Sequence, residues 1–303
     1  MKKLTLILTT AFFTSGLVTC SDKPNDIPTI IETKELPTIE MVSTHAIDLD
    51  ISVSKLTFVP NSTAAWLGRI ILLDDAGHLY STDIEGRAPK PVGTGKYLDI
   101  LGLVREAASG VFLAITDDNK IEAFIESDDI GNFSQMIYSG AEIAILTFCP
   151  KDSSEDSQIN VLTLNGKYKT MELNIDNGSI AQEVYDTISP PKQSSSCLWQ
   201  YATIGDNLNN FNVVEGKTSG LYFYQIAPSD REYNVNIKNG LSVRGVEHVK
   251  YIASTQSNYG GGAYANGVLA LVDADEDRVV FISLSYAERQ LQKAISPAEK
   301  TPQ

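Results

Sequence analysis

The segment from Thr255 to Asn266 carries the residues of this chain best suited to hold a ligand. It reads TQSNYGGGAYAN and interrupts two strand-like runs. The candidate ligand-binding residues are Asn258, Tyr259, Gly260, Gly261, Gly262 and Tyr264. Consecutive glycines allow a backbone to approach a ligand closely, while the amide and aromatic side chains offer polar and stacking contacts. No phosphate-loop lysine follows, so a nucleotide cradle is excluded. The segment is either a binding loop or a mobile surface loop without a ligand.

A second pattern of interest is the alternation of Asp273, Asp275 and Asp277, which matches the first half of a calcium-binding loop. Arg278 stands where such a loop needs glycine, and Leu284 where it needs a bidentate glutamate. The run therefore predicts a tight, solvated hairpin rather than a metal site.

The histidines offer no chemistry of their own. His45, His78 and His248 are scattered and have no second ligand at metal-binding spacing, so we expect no zinc site. No G-x-S-x-G segment is present, which disfavours a Ser-His-Asp hydrolase.

Two cysteines, Cys149 and Cys197, follow the N-terminal region and show no metal-like spacing. Each falls in the first strand of a predicted repeat, and in an oxidising compartment they could pair. Two separate buried thiols are the alternative.

The elements that must position these residues are strands. Apolar, β-branched runs alternate with turn clusters at 74–77, 117–119, 165–166 and 273–275, which is typical of hairpins. The hairpins group into units at 49–95, 98–139, 141–188, 195–237 and 239–286. A period of roughly 42 to 54 residues with four strands in each unit indicates a β-propeller. A β-sandwich would not require groups of four at a steady period.

The two ends of the chain differ in composition from this central region. Residues 20–41 are polar and dotted with proline, which predicts a flexible tether, and residues 291–303 predict a disordered tail. The propeller domain is expected over residues 42–290, with one short helix at 287–294. A net charge of −14 disfavours nucleic acid and anionic lipid surfaces, and suits cations or solubility.

Residues 1–19 have the layout of a secretory signal: a basic start at Lys2 and Lys3 and then an uncharged apolar run. The sequence Leu-Val-Thr-Cys at 17–20 resembles the lipobox of bacterial lipoproteins, in which the cysteine is lipidated. The resemblance implies export to the periplasm, attachment through Cys20 and, because Ser21 follows, an outer-membrane location. Ordinary cleavage to a soluble periplasmic protein is the alternative.

Four segments follow one another in an order found in a known family. Residues 69–86 hold a strand followed by GHLYSTDIEG, residues 112–124 read FLAITDDNKIEAF, residues 146–178 run from LTFC to LNIDNG, and residues 251–256 read YIASTQ. This series resembles the calcium-dependent β-propeller phytases, which are secreted six-bladed phosphatases. The resemblance implies a propeller that could hold calcium and act on a phosphate ester.

The acids of that family are largely replaced. Its Asp-Asp-Pro-Ala motif falls on residues 50–53, which read DISV, and its Glu before cysteine falls on Ser195 or Ser196. Another acidic motif falls on Lys238-Asn239, and an aspartate falls on Leu103, although Arg105 is retained. Five repeats are visible where the family has six, so no catalytic residue can be carried over.

These observations predict a phytase-like envelope lipoprotein that is a non-catalytic binding or interaction module, with a protein, glycan or phosphate ester as ligand. The alternative is a calcium-dependent phosphoric-ester hydrolase of the 3-phytase type with a rearranged site. Its metal candidates are Asp48, Asp50 and Asp99. Contact with the membrane is expected through the lipid anchor alone, and no nucleic acid partner is expected.

Overall fold

The computed structural model describes residues 38–61, 63–87, 89–103, 110–140, 143–149, 158–176, 179–186, 201–204, 211–215, 221–225 and 232–295. The chain divides into two units, Met1–Glu35 and Leu36–Gln303, and every described residue belongs to the second. Cys20 with the predicted signal peptide, Cys197 and the chain beyond 295 lie outside the described residues. Within the described ranges, no helix is long and apolar enough to cross a membrane.

The strands in these ranges form five sheets, which we call blades 1 to 5. Blade 1 contains β3 (Val53–Val59), β4 (Arg69–Asp74), β5 (Leu79–Thr82) and β6 (Lys90–Val92). Blade 2 contains β7 (Tyr97–Gly102), β8 (Val111–Thr116), β9 (Ile121–Glu126) and β10 (Phe133–Gln135). Blade 3 contains β11 (Ile137–Ser139), β12 (Ile145–Cys149), β13 (Gln158–Thr163), β14 (Tyr168–Asp176) and β15 (Ser179–Asp186). Blade 4 contains β1 (Thr38–Val42), β16 (Tyr201–Ile204), β17 (Phe211–Glu215), β18 (Leu221–Gln225) and β19 (Glu232–Lys238). Blade 5 contains β2 (His45–Asp48), β20 (Val249–Thr255), β21 (Val268–Asp273) and β22 (Arg278–Ser283).

The blades have the arrangement of a β-propeller. Blades 3 and 4 carry a fifth strand at one edge, β11 and β1, which pairs in parallel with β15 and β19. All other neighbouring strands pair antiparallel. One edge of each sheet is formed by the strand that we call the first strand of its blade: β3, β7, β12, β16 or β20. These first strands contact one another: β3 touches β20 and β7, β7 touches β12, and β16 touches β20. The predicted all-β propeller with five repeats is therefore confirmed. Every strand of the described ranges belongs to one of the five blades, so none is left for the sixth blade that the phytase resemblance implies.

Blade 5 combines the two ends of the domain. Residues 239–286 supply three of its strands, and β2, from near the N-terminus, supplies the fourth by pairing antiparallel with β22. The repeat pattern had predicted all four strands within residues 239–286. The N-terminal strand completes the blade because closing a ring of sheets on itself covers an edge that would otherwise be exposed.

Structure extends beyond the predicted domain boundaries at both ends. β1 begins at Thr38, inside the predicted tether of 20–41, because Ile39 and Met41 bury their side chains while the strand pairs in parallel with β19. The helix α1 spans Leu284–Ile295, past the predicted end at 290, and its buried Ala287 and Leu291 pack in the same apolar cluster as β1.

The core consists of apolar clusters that lie between neighbouring blades, as β4 illustrates. Ile70 and Leu72 point to one face of blade 1 and pack in a cluster with residues of blade 5. Ile71 and Leu73 point to the other face and pack with residues of blade 2. Alternate side chains of a strand point to opposite faces, so a strand buried on both faces reads as a continuous apolar run.

The hairpins between second and third strands share one turn in blades 1 to 3. The second strand ends on a residue whose side chain bonds back into the turn, namely Asp74, Thr116 and Thr163. Three residues later the backbone adopts positive φ, at Gly77 (88°), Asn119 (63°) and Gly166 (76°). Glycine and asparagine tolerate this conformation best, which is why these turns could be located in the sequence.

The first strands share a bulge. The register of pairing shifts by one residue near the start of β3, β7, β12 and β20. The residues that follow the extra one occupy equivalent positions in blades 1, 2, 3 and 5: Lys55, Asp99, Thr147 and Tyr251. A bulge re-aims the side chains beside it, so these four residues share one orientation relative to their blades.

Cys149 ends β12, is buried and is disulfide-bonded. Because Cys197 lies outside the described residues, its pairing with Cys149 stays a prediction.

We expect peptide mapping of the unreduced protein to find Cys149 linked to Cys197. Cys197→Ser should then free the Cys149 thiol and lower the free energy of unfolding by about 2–4 kcal/mol, because the unfolded chain loses a constraint. The double variant with Cys149→Ser serves as the control and should match the single variant in urea unfolding. Two reactive thiols in the unfolded, unreduced wild-type protein would contradict the pairing.

Candidate functional site

Loops at one end of blades 1 and 5 enclose a groove of about 530 Å³. It is lined by residues 66–67, 83–85 and 259–264, together with Arg69, Arg87 and His45. The connections β3–β4, β5–β6 and β20–β21 and the start of β2 supply nearly all of them. In an antiparallel sheet, alternate connections lie at the same end, so these segments of different blades meet there. The predicted binding loop therefore forms a wall of this groove.

Tyr259 fixes this loop to blade 1. Its ring lies edge-on to Phe58 with centroids 5.1 Å apart, and its hydroxyl donates to the backbone oxygen of Arg69 at 3.0 Å. Gly68 is required beneath it, since a Cβ there would lie 2.8 Å from the tyrosine ring. Tyr259 is only 3% exposed, and burial raises its pKa well above the usual value. This predicted ligand-binding residue is therefore chiefly an anchor of the loop.

Tyr264 and Asn258 also stabilise the loop. The Tyr264 hydroxyl and the Thr44 hydroxyl share a hydrogen bond of 2.8 Å, and the Tyr264 carbonyl accepts from the N–H of Tyr259 at 3.1 Å. The Asn258 side chain accepts from the N–H of Gly260 at 2.7 Å. Burial raises the pKa of Tyr264 above its ordinary value.

The three glycines of the loop are not equivalent. Gly260 and Gly261 have positive φ, of 85° and 62°, where a larger residue would be strained. Gly262 has ordinary φ, and a Cβ added there would meet nothing within 4 Å. The fold thus explains the first two glycines and leaves Gly262 without an internal reason to be glycine.

Trp66 lies beside the glycine loop and is 74% exposed. It belongs to the short 3-10 helix Ala65–Leu67, which follows a turn in which the Asn61 side chain accepts from two backbone N–H groups at 3.0 Å each. A Cβ on Gly260 would approach the Cβ of Trp66 to 3.3 Å, so the loop backbone passes close to the base of this side chain. The indole therefore extends from a fixed backbone into solvent.

The charged residues of the groove are paired. Arg69 lies 3.3 Å from Glu126 (Nε to Oε1) and 3.8 Å from Asp83 (Nη1 to Oδ2). Asp83 also accepts from the backbone N–H groups of Glu85 and Arg87, at 3.0 and 3.2 Å, and so holds their turn. Arg87 is exposed and bonds the Glu85 carboxylate. Each charge in the groove thus has an opposite charge beside it.

His45 opens β2 and stacks on Phe281, with ring centroids 6.0 Å apart. Its Nε2 is shielded from solvent and has no hydrogen-bond partner among the described residues. A buried polar atom without a partner is uncommon in native structures.

Sequence reasoning missed Trp66, Arg69, Arg87 and the groove position of His45. A signal for Trp66 was present, because a tryptophan stands in a short polar segment between two strands. No signal in the sequence pointed to the charged residues, because their proximity to residues 259–264 depends on closure of the ring.

Asp99, one of the predicted metal ligands, joins the first strands of three blades. Its Oδ1 accepts from the Lys55 ammonium at 2.8 Å and from the N–H of Ile100 at 3.0 Å. Its Oδ2 accepts from the Thr147 hydroxyl at 2.6 Å and from the N–H of Phe148 at 3.0 Å. Asp99 is 4% exposed. Both carboxylate oxygens are therefore occupied by donors from blades 1, 2 and 3.

The structure does not bring the metal candidates together. Asp48 and Asp50 are exposed, whereas Asp99 is buried against Lys55. No group of three His, Cys, Asp or Glu side chains that could hold a metal ion occurs within the described ranges. Tyr251, at the equivalent position of blade 5, has a pKa raised by burial and then by the charge of Asp99.

The hairpin at 273–278 is confirmed, but its base is buried rather than solvated. Arg278 donates to Asp273 from Nε at 2.9 Å and from Nη2 at 2.7 Å, and both side chains are buried. Arg278 also donates to the carbonyls of Gly245 at 2.8 Å and Arg244 at 3.3 Å. The guanidinium of Arg278 thus binds the Asp273 carboxylate, which in a calcium-binding loop would bind the ion.

Comparisons with known proteins add little. No family model matches the chain, and no curated protein matches it. Saccharomyces cerevisiae Sqt1 aligns with 80% of this chain and 99% of its own length at 9% identity, with a TM-score of 0.42. The N-terminal domain of Nup159 aligns with 70% of this chain at 10% identity and a TM-score of 0.31, and the match spans 62% of that chain. A chain from the complex of BBS1N with ARL6DN aligns with 78% of this chain and 67% of its own at 10% identity and a TM-score of 0.31. Similarities this low carry no argument about activity or partners.

We expect Asp99→Ala to lower the free energy of unfolding by about 2–4 kcal/mol in urea denaturation, because it leaves the donors of Lys55, Thr147 and Phe148 without their acceptor. Asp50→Ala, at an exposed carboxylate, is the control and should change stability by no more than about 0.5 kcal/mol. Equal stability of the two variants would show that the Asp99 contacts do not stabilise the fold.

Proposed function

We propose that the protein is a non-catalytic ligand-binding module of the bacterial envelope and that the groove between blades 1 and 5 is its binding site. The observation that carries the proposal is that one groove is lined both by an exposed Trp66 and by a glycine at 262 that the fold does not require. A large apolar side chain in solvent is costly for folding, and an uncovered backbone is unnecessary for it. Both features suit contact with a ligand.

The loop meets a further requirement of a binding site, which is rigidity. Tyr259 packs in the core, Tyr264 bonds Thr44, and Asn258 closes the turn before the glycines. A loop held in this way loses little conformational entropy when a ligand binds. These contacts favour a binding loop over the alternative of a mobile loop without a ligand.

A calcium-dependent phosphoric-ester hydrolase is less well supported. Such an enzyme needs several carboxylates that converge on its ions. Asp99 is bonded by Lys55 and Thr147, and Asp273 is bonded by Arg278. We therefore interpret the phytase resemblance as one of fold pattern, and the calcium site of that family is not part of the proposal.

The envelope location rests on the N-terminal sequence. The basic start, the apolar run and the lipobox-like residues before Cys20 favour export and lipidation. Several acyl chains, at about 0.8 kcal/mol per buried methylene, would hold the protein at a membrane. In this arrangement the residues between Cys20 and β1 tether the propeller to its anchor.

For the groove, we expect the fluorescence of Trp66 to respond to a ligand. In a Trp199→Phe background, Trp66 is the sole tryptophan. Neutral tetrasaccharides, phytate and tetraalanine are titrated separately, and phosphate release from phytate is followed with and without calcium. One class of compound should shift the Trp66 emission, Gly262→Ala should weaken that binding without lowering Tm, and no phosphate should be released.

Gly267→Ala is the matched stability control. Its φ is 104°, and a Cβ there would lie 2.3 Å from the carbonyl oxygen of Thr255, so this variant should lower Tm. Calcium-dependent phosphate release would contradict the non-catalytic proposal, and the absence of any emission change would contradict the binding site.

For the anchor, we expect labelled palmitate to be incorporated into the wild-type protein and not into Cys20→Ser, which should be released from the membrane fraction. Ser21→Asp is the control, since it should keep the lipid and shift the protein toward the inner membrane. Identical fractionation of Cys20→Ser and wild type would rule out attachment through this cysteine.

A further inference from the structure

We infer that the ligand of the groove is a neutral glycan, and this inference rests on the proposed function of the groove as a binding site. Three features of the groove support a neutral glycan: the charge balance of the lining, the combination of apolar and polar surfaces, and the scarcity of free strand edges.

The first feature is the charge balance of the groove lining. Two arginines and two acids line the groove, and Arg69 is further neutralised by Glu126. Arg87 lies against Glu85 and Asp83. An anion such as a phosphate would have to displace a carboxylate from one of these arginines, and the net charge of −14 on the chain would repel it. A cation would have to displace an arginine. The balance therefore favours a ligand without net charge.

The second feature is the combination of apolar and polar surfaces in the groove. Trp66 presents an exposed aromatic face, and Leu67 and Ile84 add apolar surface to the lining. Nearby polar groups include the exposed Arg87 and Glu85 side chains. A sugar ring has C–H groups on its faces and hydroxyls around its rim, so it can lie on an indole while its hydroxyls bond planar polar side chains.

The backbone of the loop extends this surface. The N–H groups of Gly261 and Gly262 donate no hydrogen bond to any residue in the described ranges. With no side chain at 262, a ligand hydroxyl can approach these donors directly. The groove volume of about 530 Å³ falls within the roughly 300–1,000 Å³ of small-molecule sites.

The third feature concerns extended peptides, one of whose recurring binding modes is the addition of a strand to a sheet edge. Of the residues that line the groove, His45 is the one that lies on an edge strand, because Arg69 belongs to β4 inside blade 1. The other lining residues belong to loops and the short 3-10 helix. An extended peptide would therefore find no ladder of backbone partners here.

The inference is tested by calorimetry and Trp66 emission on the purified protein, with four neutral tetrasaccharides as probes: cellotetraose, maltotetraose, mannotetraose and chitotetraose. At least one should bind, and its affinity should change by less than about twofold when the salt concentration rises tenfold, because no net charge is neutralised. Trp66→Ala should weaken binding by about tenfold or more, and Trp66→Phe should retain part of the affinity.

Ile137→Ala is the matched control, since Ile137 is 73% exposed on blade 3, similar to the 74% of Trp66. This variant should bind as wild type does. Equal binding by Trp66→Ala and wild type would overturn the inference.

Three further probes, inorganic phosphate, phytate and tetraalanine, distinguish a failure of the glycan inference from a failure of the proposed function. If one of them shifts the Trp66 emission and no tetrasaccharide does, the groove binds a ligand but the glycan assignment is wrong. Phosphate or phytate would then show a steep loss of affinity with salt. If no probe of any class binds, both the glycan inference and the proposed function of the groove fail.

Discussion

Blades 1, 2 and 5 of this protein are apolar on both faces, and a sheet of that kind cannot be stable by itself in water. β4 shows the constraint directly, because Ile70 and Leu72 pack toward blade 5 while Ile71 and Leu73 pack toward blade 2. Each of these blades consequently needs a neighbour on each side. The faces of blade 5 pack against residues of blade 1 and of β1 and β19 in blade 4, while β2 from the start of the domain supplies its fourth strand. The groove and the turns described above are then located at the ends of strands.

The groove divides its residues into those that shape it and those that remain available. The polar groups of Tyr259, Asn258 and Asp83 form hydrogen bonds that hold the loops of the groove in place. Trp66 and Gly262 make no such contribution to the fold. A similar division applies to Asp99, whose carboxylate is fully engaged in joining three blades. A functional aspartate and a structural one look the same in a sequence, and their hydrogen bonds distinguish them.

The features that could be predicted from the sequence are those that depend on neighbouring residues. Turns such as the one at Asn119 are encoded within about five residues, and their spacing revealed the repeats. The proximity of Trp66 to Gly260, and of His45 to Tyr264, depends on ring closure and has no local signal. The partners of Asp99 were equally hidden, because they depend on bulges in three separate strands.

The ladder between β2 and β22 makes the last blade dependent on the whole domain. Asp48 pairs with Arg278, so this contact cannot form until nearly all of the domain has been synthesised. Until then, β2 has no partner and the apolar faces of blades 1 and 5 lack their cover. Contacts between residues so distant in sequence form slowly, since a long loop must be closed before they contribute stability. Until β2 pairs with β22, this open ring is the species most exposed to aggregation and proteolysis.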